Sequence, residues 1–345
     1  MKKGGLASEL TERQRKILES VIHCYTLTAE PVGSRTIARK YGLGLSPATI
    51  RNVMADLEEM GYLYQPHTSA GRVPTEKGYR VYVDELMEES ELTPEEKRLI
   101  RSEYEKIKHE VDRIIEHTSR ILSLISRYIG VAATPPLREG AFKRLELISV
   151  GANTVLSVII TFSGIVRNKL ISLDFELPDK VLNRIAVLIN ERLSGLPISR
   201  IRELAQNPVE LRRMLDLEGR EIDLVRYALD IEPDVQVYLD GQANILSQPE
   251  FSSIERSERV FRALEKKDRI WRILFPKSSS DVEVKIGSEV KCEGMEECSV
   301  VSATYKVGDL TGTIGIIGPK RMVYPKIIPL VRYTAQIVSS ILGGE

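Results

Sequence analysis

The sequence predicts an α+β protein of several domains with a winged helix-turn-helix at one end, on three observations. Ser34–Tyr41 reads as a short helix, Gly42–Leu45 as a turn, and a second helix opens at Ser46. A short strand at Tyr62-Leu63-Tyr64, a turn-rich tip from Gln65 to Gly71 and a returning strand at Arg72-Val73-Pro74 follow at once. Beyond Gly130 the pattern changes to strands, which a helical block at 179–230 interrupts before strand signals resume at Val235.

The second helix is the best defined. Ser46 sits where an N-cap belongs, and Pro47 occupies the first helical position, where a missing N–H costs nothing. Ile50, Val53, Met54 and Leu57 recur at helical spacing and form the buried stripe. Ala48, Asn52 and Ala55 point the opposite way, with Thr49, Arg51 and Asp56 on the flanks. Two helices of an ordinary bundle would share this pattern. The strand, tip and strand that follow favour a winged head whose second helix enters the major groove N-terminus first. Before it, Thr11 and Gln14 form a capping box, and Ile17, Leu18, Val21, Ile22 and Tyr25 supply a face to pack on that stripe.

These positions name the candidate contacts. Ser46, Thr49 and Arg51 can meet phosphate or base edges, and Asn52, the polar residue most nearly opposite the stripe, is the candidate for direct base contact. The wing tip offers His67, Thr68, Ser69 and Arg72, which are phosphate and groove ligands in kind, although an ordinary polar hairpin would also look like this.

Charge is distributed accordingly. The 345 residues carry 49 Lys and Arg and 49 Asp and Glu. Residues 1–80 hold 12 basic against 8 acidic side chains, and residues 81–110 hold 5 against 10. A mildly basic head ahead of an acidic segment fits a nucleic-acid face confined to one end. Cys24, Cys292 and Cys298 match no common disulfide framework or zinc spacing, so a reducing cytoplasm is expected. No apolar run approaches about 20 residues, and Met1-Lys2-Lys3 leads into Gly4-Gly5 without an apolar signal core.

Thr75 to Ser90 is expected to be helical, ending in an acidic boundary at Glu88–Glu91. Thr93-Pro94-Glu95-Glu96 starts a helix expected to run past residue 115, with a break near Thr118-Ser119 left open. Thr134-Pro135-Pro136 reads as a linker. Arg144–Val150, Val155–Phe162 and Ile165–Leu173 read as an antiparallel meander belonging to the sheet that the helical block interrupts. After that block, strands at Val235–Leu239, Val282–Ile286, Ser299–Tyr305 and Gly312–Ile317 accompany a helical face from Phe261 to Leu274 and a final helix through Ile341.

Catalytic and cofactor chemistry is not indicated. Gly312–Gly318 lacks the lysine and hydroxyl of a phosphate-binding loop. His23 lies beside an apolar stripe, and His109 and His117 have no nearby partner motif. Asp281 and Glu283 alternate along a strand as on a wet face. An enzyme is the alternative class, and no cofactor or metal is expected.

Three sets of motifs go further. The head carries Glu30-Pro-Val-Gly-Ser-Arg35, Leu45-Ser-Pro-Ala-Thr-Ile-Arg-Asn-Val-Met-Ala-Asp-Leu57 and Thr68-Ser-Ala-Gly-Arg-Val-Pro-Thr75. The middle carries Asp240-Gly-Gln-Ala-Asn-Ile245 and the tail Ile317-Gly-Pro-Lys-Arg-Met-Val-Tyr324. With these the chain resembles the bacterial heat-inducible transcription repressor family HrcA over essentially its full length. The first motif adds Ser34 and Arg35 to the expected DNA contacts. The resemblance implies a repressor of chaperone operons that binds an inverted-repeat operator in double-stranded DNA as a homodimer and relies on a GroEL-type chaperonin. It also implies a division into a winged helix-turn-helix with its following helix (1–90), a linker helix and first part of a GAF-like domain (91–178), an inserted, mainly helical dimerisation domain (179–234) and the second part of the GAF-like domain (235–345). No ligand of the GAF-like domain is implied. A ligand-gated regulator using that domain as a sensor is the competing reading.

Overall fold

In the computed structural model, the described residues are 9–107, 111–137, 140–217, 219–230, 235–275 and 281–343. The head begins with α1 (Glu12–Thr28), held at its start by the reciprocal capping box of Thr11 and Gln14. The helices α2 (Ser34–Lys40) and α3 (Pro47–Glu59) follow. Ser46 caps α3 by accepting from the Thr49 N–H at 3.1 Å, and Ile50, Val53, Met54 and Leu57 are its buried residues. At the other end, the Tyr62 N–H reaches the Leu57 carbonyl and the Gly61 N–H that of Glu58, both at 2.9 Å. This closes the last turn and aims the chain into the wing. The wing strands are β1 (Leu63–Tyr64) and β2 (Val73–Pro74), paired antiparallel.

Thr75 caps α4 (Glu76–Val81), which passes into a π turn at Tyr82–Leu86. The helix expected to reach Ser90 therefore stops at Leu86. Then come α5 (Pro94–Glu105), opened by the Thr93/Glu96 capping box, and α6 (Val111–Ser126). One long helix was expected here, and two form. The break falls between Glu105 and Val111, not at Thr118-Ser119, where both hydroxyls bond back to helix carbonyls at 2.7 Å without ending it. Tyr104 on α5 meets Thr118 on α6 at 2.8 Å, folding one helix onto the other. His109 lies outside the described residues.

The next element corrects the sequence reading. Residues just ahead of the supposed linker form β3 (Ile129–Ala133), buried along its whole length. The meander appears as β4 (Phe142–Gly151), β5 (Thr154–Thr161) and β6 (Val166–Ser172), followed by α7 (Asp179–Leu193), α8 (Ile198–Gln206), α9 (Pro208–Leu215) and α10 (Arg220–Leu229). The chain continues through β7 (Val237–Asp240), α11 (Ile254–Glu265), α12 (Lys267–Leu274), β8 (Val282–Ile286), β9 (Cys298–Val307), β10 (Leu310–Pro319) and α13 (Tyr324–Gly343).

Five of these strands make one antiparallel sheet in the order β7-β3-β10-β9-β8, while β4-β5-β6 form a separate sheet. The meander thus does not belong to the interrupted sheet. Its inner face, with Leu145, Leu147, Val155 and Ile159, shares one apolar core with Leu182, Ile185, Leu204 and Leu224 of the four helices. The boundary expected between 178 and 179 runs through that core. Because β3 and β7 are neighbours, residues 134–236 leave and re-enter the larger sheet between adjacent strands. Thr134 and Gln236 close this neck, each N–H bonding the other residue at 2.9 Å.

The larger sheet is covered on both faces. Ala132, Val301, Ile314 and Ile316 join Ile115, Leu122, Ile327 and Val331 of α6 and α13 in a core continuous with the head's. Ile129, Val131, Val300 and Ile317 face Val260, Leu264, Ile270 and Leu274 of α11 and α12. Polar contacts also tie the head to this sheet: Arg80 to Glu289 and the Val284 carbonyl, Arg321 to the Thr26 carbonyl, and the Ser90 N–H to the Pro325 carbonyl. Among the described residues, no helix is long and apolar enough to cross a membrane, and no group of three or more His, Cys, Asp or Glu side chains could hold a metal ion.

Candidate nucleic-acid interface

The apolar stripe of α3 faces α1 and α2, so the opposite side of α3 must face outward. Arg51 and Asn52 are exposed there, and Thr49 is half-buried beside them. The Ser46 hydroxyl caps the helix and also lies 2.9 Å from the Thr49 hydroxyl. These two side chains are therefore partly engaged with each other and with the helix end. What they leave for a ligand is the N-terminal turn of α3, where Pro47 has no N–H and the Thr49 and Ile50 N–H groups are already held by Ser46, so that the positive dipole end is what favours an anion.

A cleft of about 590 Å³ opens between the start of α2, α3 and the wing, with Arg35, Arg51, Gln65, Thr68, Ser69 and Arg72 among its lining residues. Three elements distant in sequence thus bring guanidinium groups and hydroxyls around one concavity. Of the predicted contacts, Ser34 also reaches the cleft, but it is only 7% exposed, so its side chain is largely withdrawn. Asn52, Ser46 and Thr49 lie outside this cleft, along the helix. His67 is exposed at the tip, where its carbonyl accepts from the Ala70 N–H at 2.8 Å.

The wing tip has a defined shape. The Gln65 amide donates to the carbonyls of Thr68 at 3.0 Å and Ala70 at 2.8 Å. Val32, ahead of α2, forms a bridge with Arg72, each N–H bonding the other's carbonyl at 2.9 Å. Arg72 also forms an ion pair with Glu58 of α3 at 2.7 Å. Sequence reasoning passed over Gln65 and Glu58. A glutamine flanking the tip hints at a loop pin, but nothing local links Glu58 to a residue fourteen positions on.

The arrangement holds donors around open space, as binding phosphodiester oxygens and base edges requires. The family model described as "Winged helix-turn-helix transcription repressor, HrcA DNA-binding" matches residues 9–87, and that described as "HrcA protein C terminal domain" matches residues 112–328. The chain belongs to the HrcA family. Among similar HrcA proteins, the heat-inducible transcription repressor of Geobacter sulfurreducens is 40% identical over 342 residues, covering 98% of this chain and 100% of the relative. That of Acetivibrio thermocellus is 43% identical over 334 residues, covering 94% of each. A crystal structure titled only as a hypothetical protein at 2.2 Å resolution superimposes with a TM-score of 0.64 at 22% identity, covering 97% of this chain and 99% of that one, a likeness of fold. The HrcA winged head and the basic cleft therefore coincide in one part of the chain.

Proposed function

We propose that this HrcA-family chain is a cytoplasmic, sequence-specific transcriptional repressor of heat-shock chaperone operons, and not an enzyme. The observation that carries the reading is the convergence of Arg35, Arg51, Thr68 and Ser69 on one cleft beside the exposed face of α3. In this reading α3 lies in the major groove, with Asn52 and Arg51 at base edges and Thr49 and Ser46 near the backbone. His67, Thr68 and Ser69 meet the adjoining backbone or groove from the wing. Arg35 meets a phosphate, and Ser34 contributes through its main chain at the start of α2.

Two further parts rest on the inserted block and the resemblance. The outer face of the β4-β5-β6 sheet carries Ile148, Leu156 and Leu170 in direct cross-strand register, with Ile148 48% and Leu170 64% exposed. An apolar row of this kind on a sheet face supports a homodimer formed through residues 134–236, where the meander joins the 179–234 helices expected to dimerise, and such a dimer would present two heads to the half-sites of an inverted repeat. The five-stranded antiparallel sheet between helical layers supports the GAF-like reading, to which no small molecule or cofactor is assigned. The family resemblance supports a GroEL-type chaperonin as partner, acting by raising the fraction of correctly folded dimer.

The test starts from the full-length chain and a pool of duplexes with random inserts. Enrichment of a two-fold symmetric sequence supports the reading, and binding to all duplexes alike removes it. For the chaperonin, adding it with ATP to freshly diluted repressor should increase the active fraction. Full recovery with a dialysable metabolite, and none with chaperonin, would favour the ligand-gated alternative.

A further inference from the structure

Arg72 was expected to touch DNA, yet its surroundings give it other work. We infer that Arg72 is a positioning residue: with Glu58 it forms a strut that fixes the wing to the recognition helix, so that both meet DNA as one rigid body. This rests on the DNA-binding reading above and adds a mechanism for its specificity.

Four observations converge on the strut. The Arg72 guanidinium lies 2.7 Å from the Glu58 carboxylate, and the two side chains are only 17% and 33% exposed, whereas Arg35 and Arg51 are exposed residues. Arg72 Nε is buried without a partner, so the guanidinium is drawn inward and not held out to solvent. The backbone of Arg72 is fixed by its two hydrogen bonds with Val32. Beside it, a Cβ at Gly71 would stand 2.4 Å from the Val32 carbonyl carbon and oxygen, so the wing and the segment leading to α2 touch through their backbones.

Charge points the same way. A carboxylate on the helix that enters the groove opposes a polyanion unless it is neutralised. The Glu58–Arg72 pair cancels both charges, so Arg72 adds little net attraction for phosphate. What the pair supplies is distance: it links the last turn of α3 to the residue just ahead of β2, and Gln65 holds the tip that precedes it. A recognition helix and wing of fixed separation accept only DNA whose grooves match that spacing. A slack wing would keep non-specific binding and lose discrimination.

The experiment uses the full-length chain, a duplex that the wild-type chain enriches from the random pool, and a scrambled version of it. If no duplex is enriched, the DNA reading itself fails, and the strut is not what failed. With a duplex in hand, Glu58→Ala and Arg72→Ala should each lower the preference for it about five- to twenty-fold. Arg72→Ala should leave the salt dependence of binding to the scrambled duplex unchanged, and for both variants that binding also reports whether the head is folded. Arg35→Ala, the comparison for a phosphate contact, should reduce the salt slope by about 1. Glu58→Gln, which retains an oxygen able to accept from Arg72, should restore most of the preference. The inference is overturned if Glu58→Ala binds the enriched duplex as well as or better than wild type, since a mere repulsive charge would then have been removed. It is equally overturned if Arg72→Ala reduces the salt slope as Arg35→Ala does.

Discussion

Glu76 on α4 accepts from both the main-chain N–H and the hydroxyl of Ser288, at 3.2 and 2.6 Å, across the seam between head and sheet. Burial alone would raise the Glu76 pKa, but the Ser288 hydrogen bonds and nearby Lys320 outweigh it and bring it below the usual 4.5. Farther along the seam, Glu89 is also lowered, chiefly by its hydrogen bond with Arg332 against a smaller opposing effect of burial. Carboxylates lowered by folding stabilise the folded state above their unfolded pKa. That contribution is lost as pH falls through the folded values. Acid is therefore expected to loosen the seam below about pH 4.5. Each carboxylate is more than a third exposed, so solvent screening limits Glu76→Ala or Glu89→Ala to about 0.5–1 kcal/mol at neutral pH. Urea unfolding at stepped pH should show this difference constant above about pH 5.5 and shrinking below 4.5. A difference that grows in acid would contradict the assignment.

At the proposed DNA face, Arg51 and Asn52 are adjacent, exposed and held by a helix whose other side is buried. Arg51→Ala or Asn52→Ala should cost roughly 1–3 kcal/mol of discrimination between enriched and scrambled duplexes if each makes a good base contact. Removing these side chains disturbs no buried stripe residue, so the melting temperature should hardly move. Anisotropy titrations in which both variants discriminate like wild type would take α3 out of the groove.

How much of this was legible depended on whether a signal was local. Thr11, Ser46, Thr75 and Thr93 all cap the helices expected of them, because a cap is decided within four residues. The wing was readable for the same reason. Three things were not. The strand β3 is short, glycine-containing and buried on both faces, so it lacks the alternation that marks a half-buried strand. The allegiance of the meander to α7–α10 is a matter of tertiary packing, invisible in strand periodicity. The ion pair of Arg72 with Glu58 joins residues fourteen apart on different elements, so Arg72 resembled any other basic residue at a loop tip.

The missed strand carries its own prediction. A Cβ on Gly130 would lie 1.9 Å from the Ser119 carbonyl oxygen and 2.8 Å from the Ser123 nitrogen, both main-chain atoms of α6. Neither can yield without moving the helix off the sheet. Gly130→Ala should therefore destabilise the chain by about 3 kcal/mol or more, large for one methyl group. A denaturation midpoint close to wild type would mean that α6 and β3 are farther apart in solution.

The insert offers the sharpest test of assembly. On the β4-β5-β6 sheet, Ile148 pairs with Leu156 and Leu156 with Leu170, while Ile160 pairs with Val166 two rows away. Between these rows lies Glu146–Val158–Asn168, so the apolar groups form two bands separated by a more polar one. The opposite face of the same strands is already occupied by α7–α10 through Val155, Ile159 and Ile171. Nothing within the chain's own core therefore calls for leucine at 170, where the side chain remains mostly exposed. A second copy of the sheet, placed about a two-fold axis, would bury the bands of both. In that arrangement Leu170→Asp introduces a charge that must either lose water or force the sheets apart. It should weaken the proposed dimer by about 2 kcal/mol or more, on the order of thirtyfold in dissociation constant. Asn168→Asp, in the polar row, should have a smaller effect. Because the substituted side chain faces outward, the monomer should keep its unfolding midpoint. Sedimentation equilibrium over a range of concentrations reads the change directly, and a Leu170→Asp dimer as tight as wild type would place the two-fold interface elsewhere.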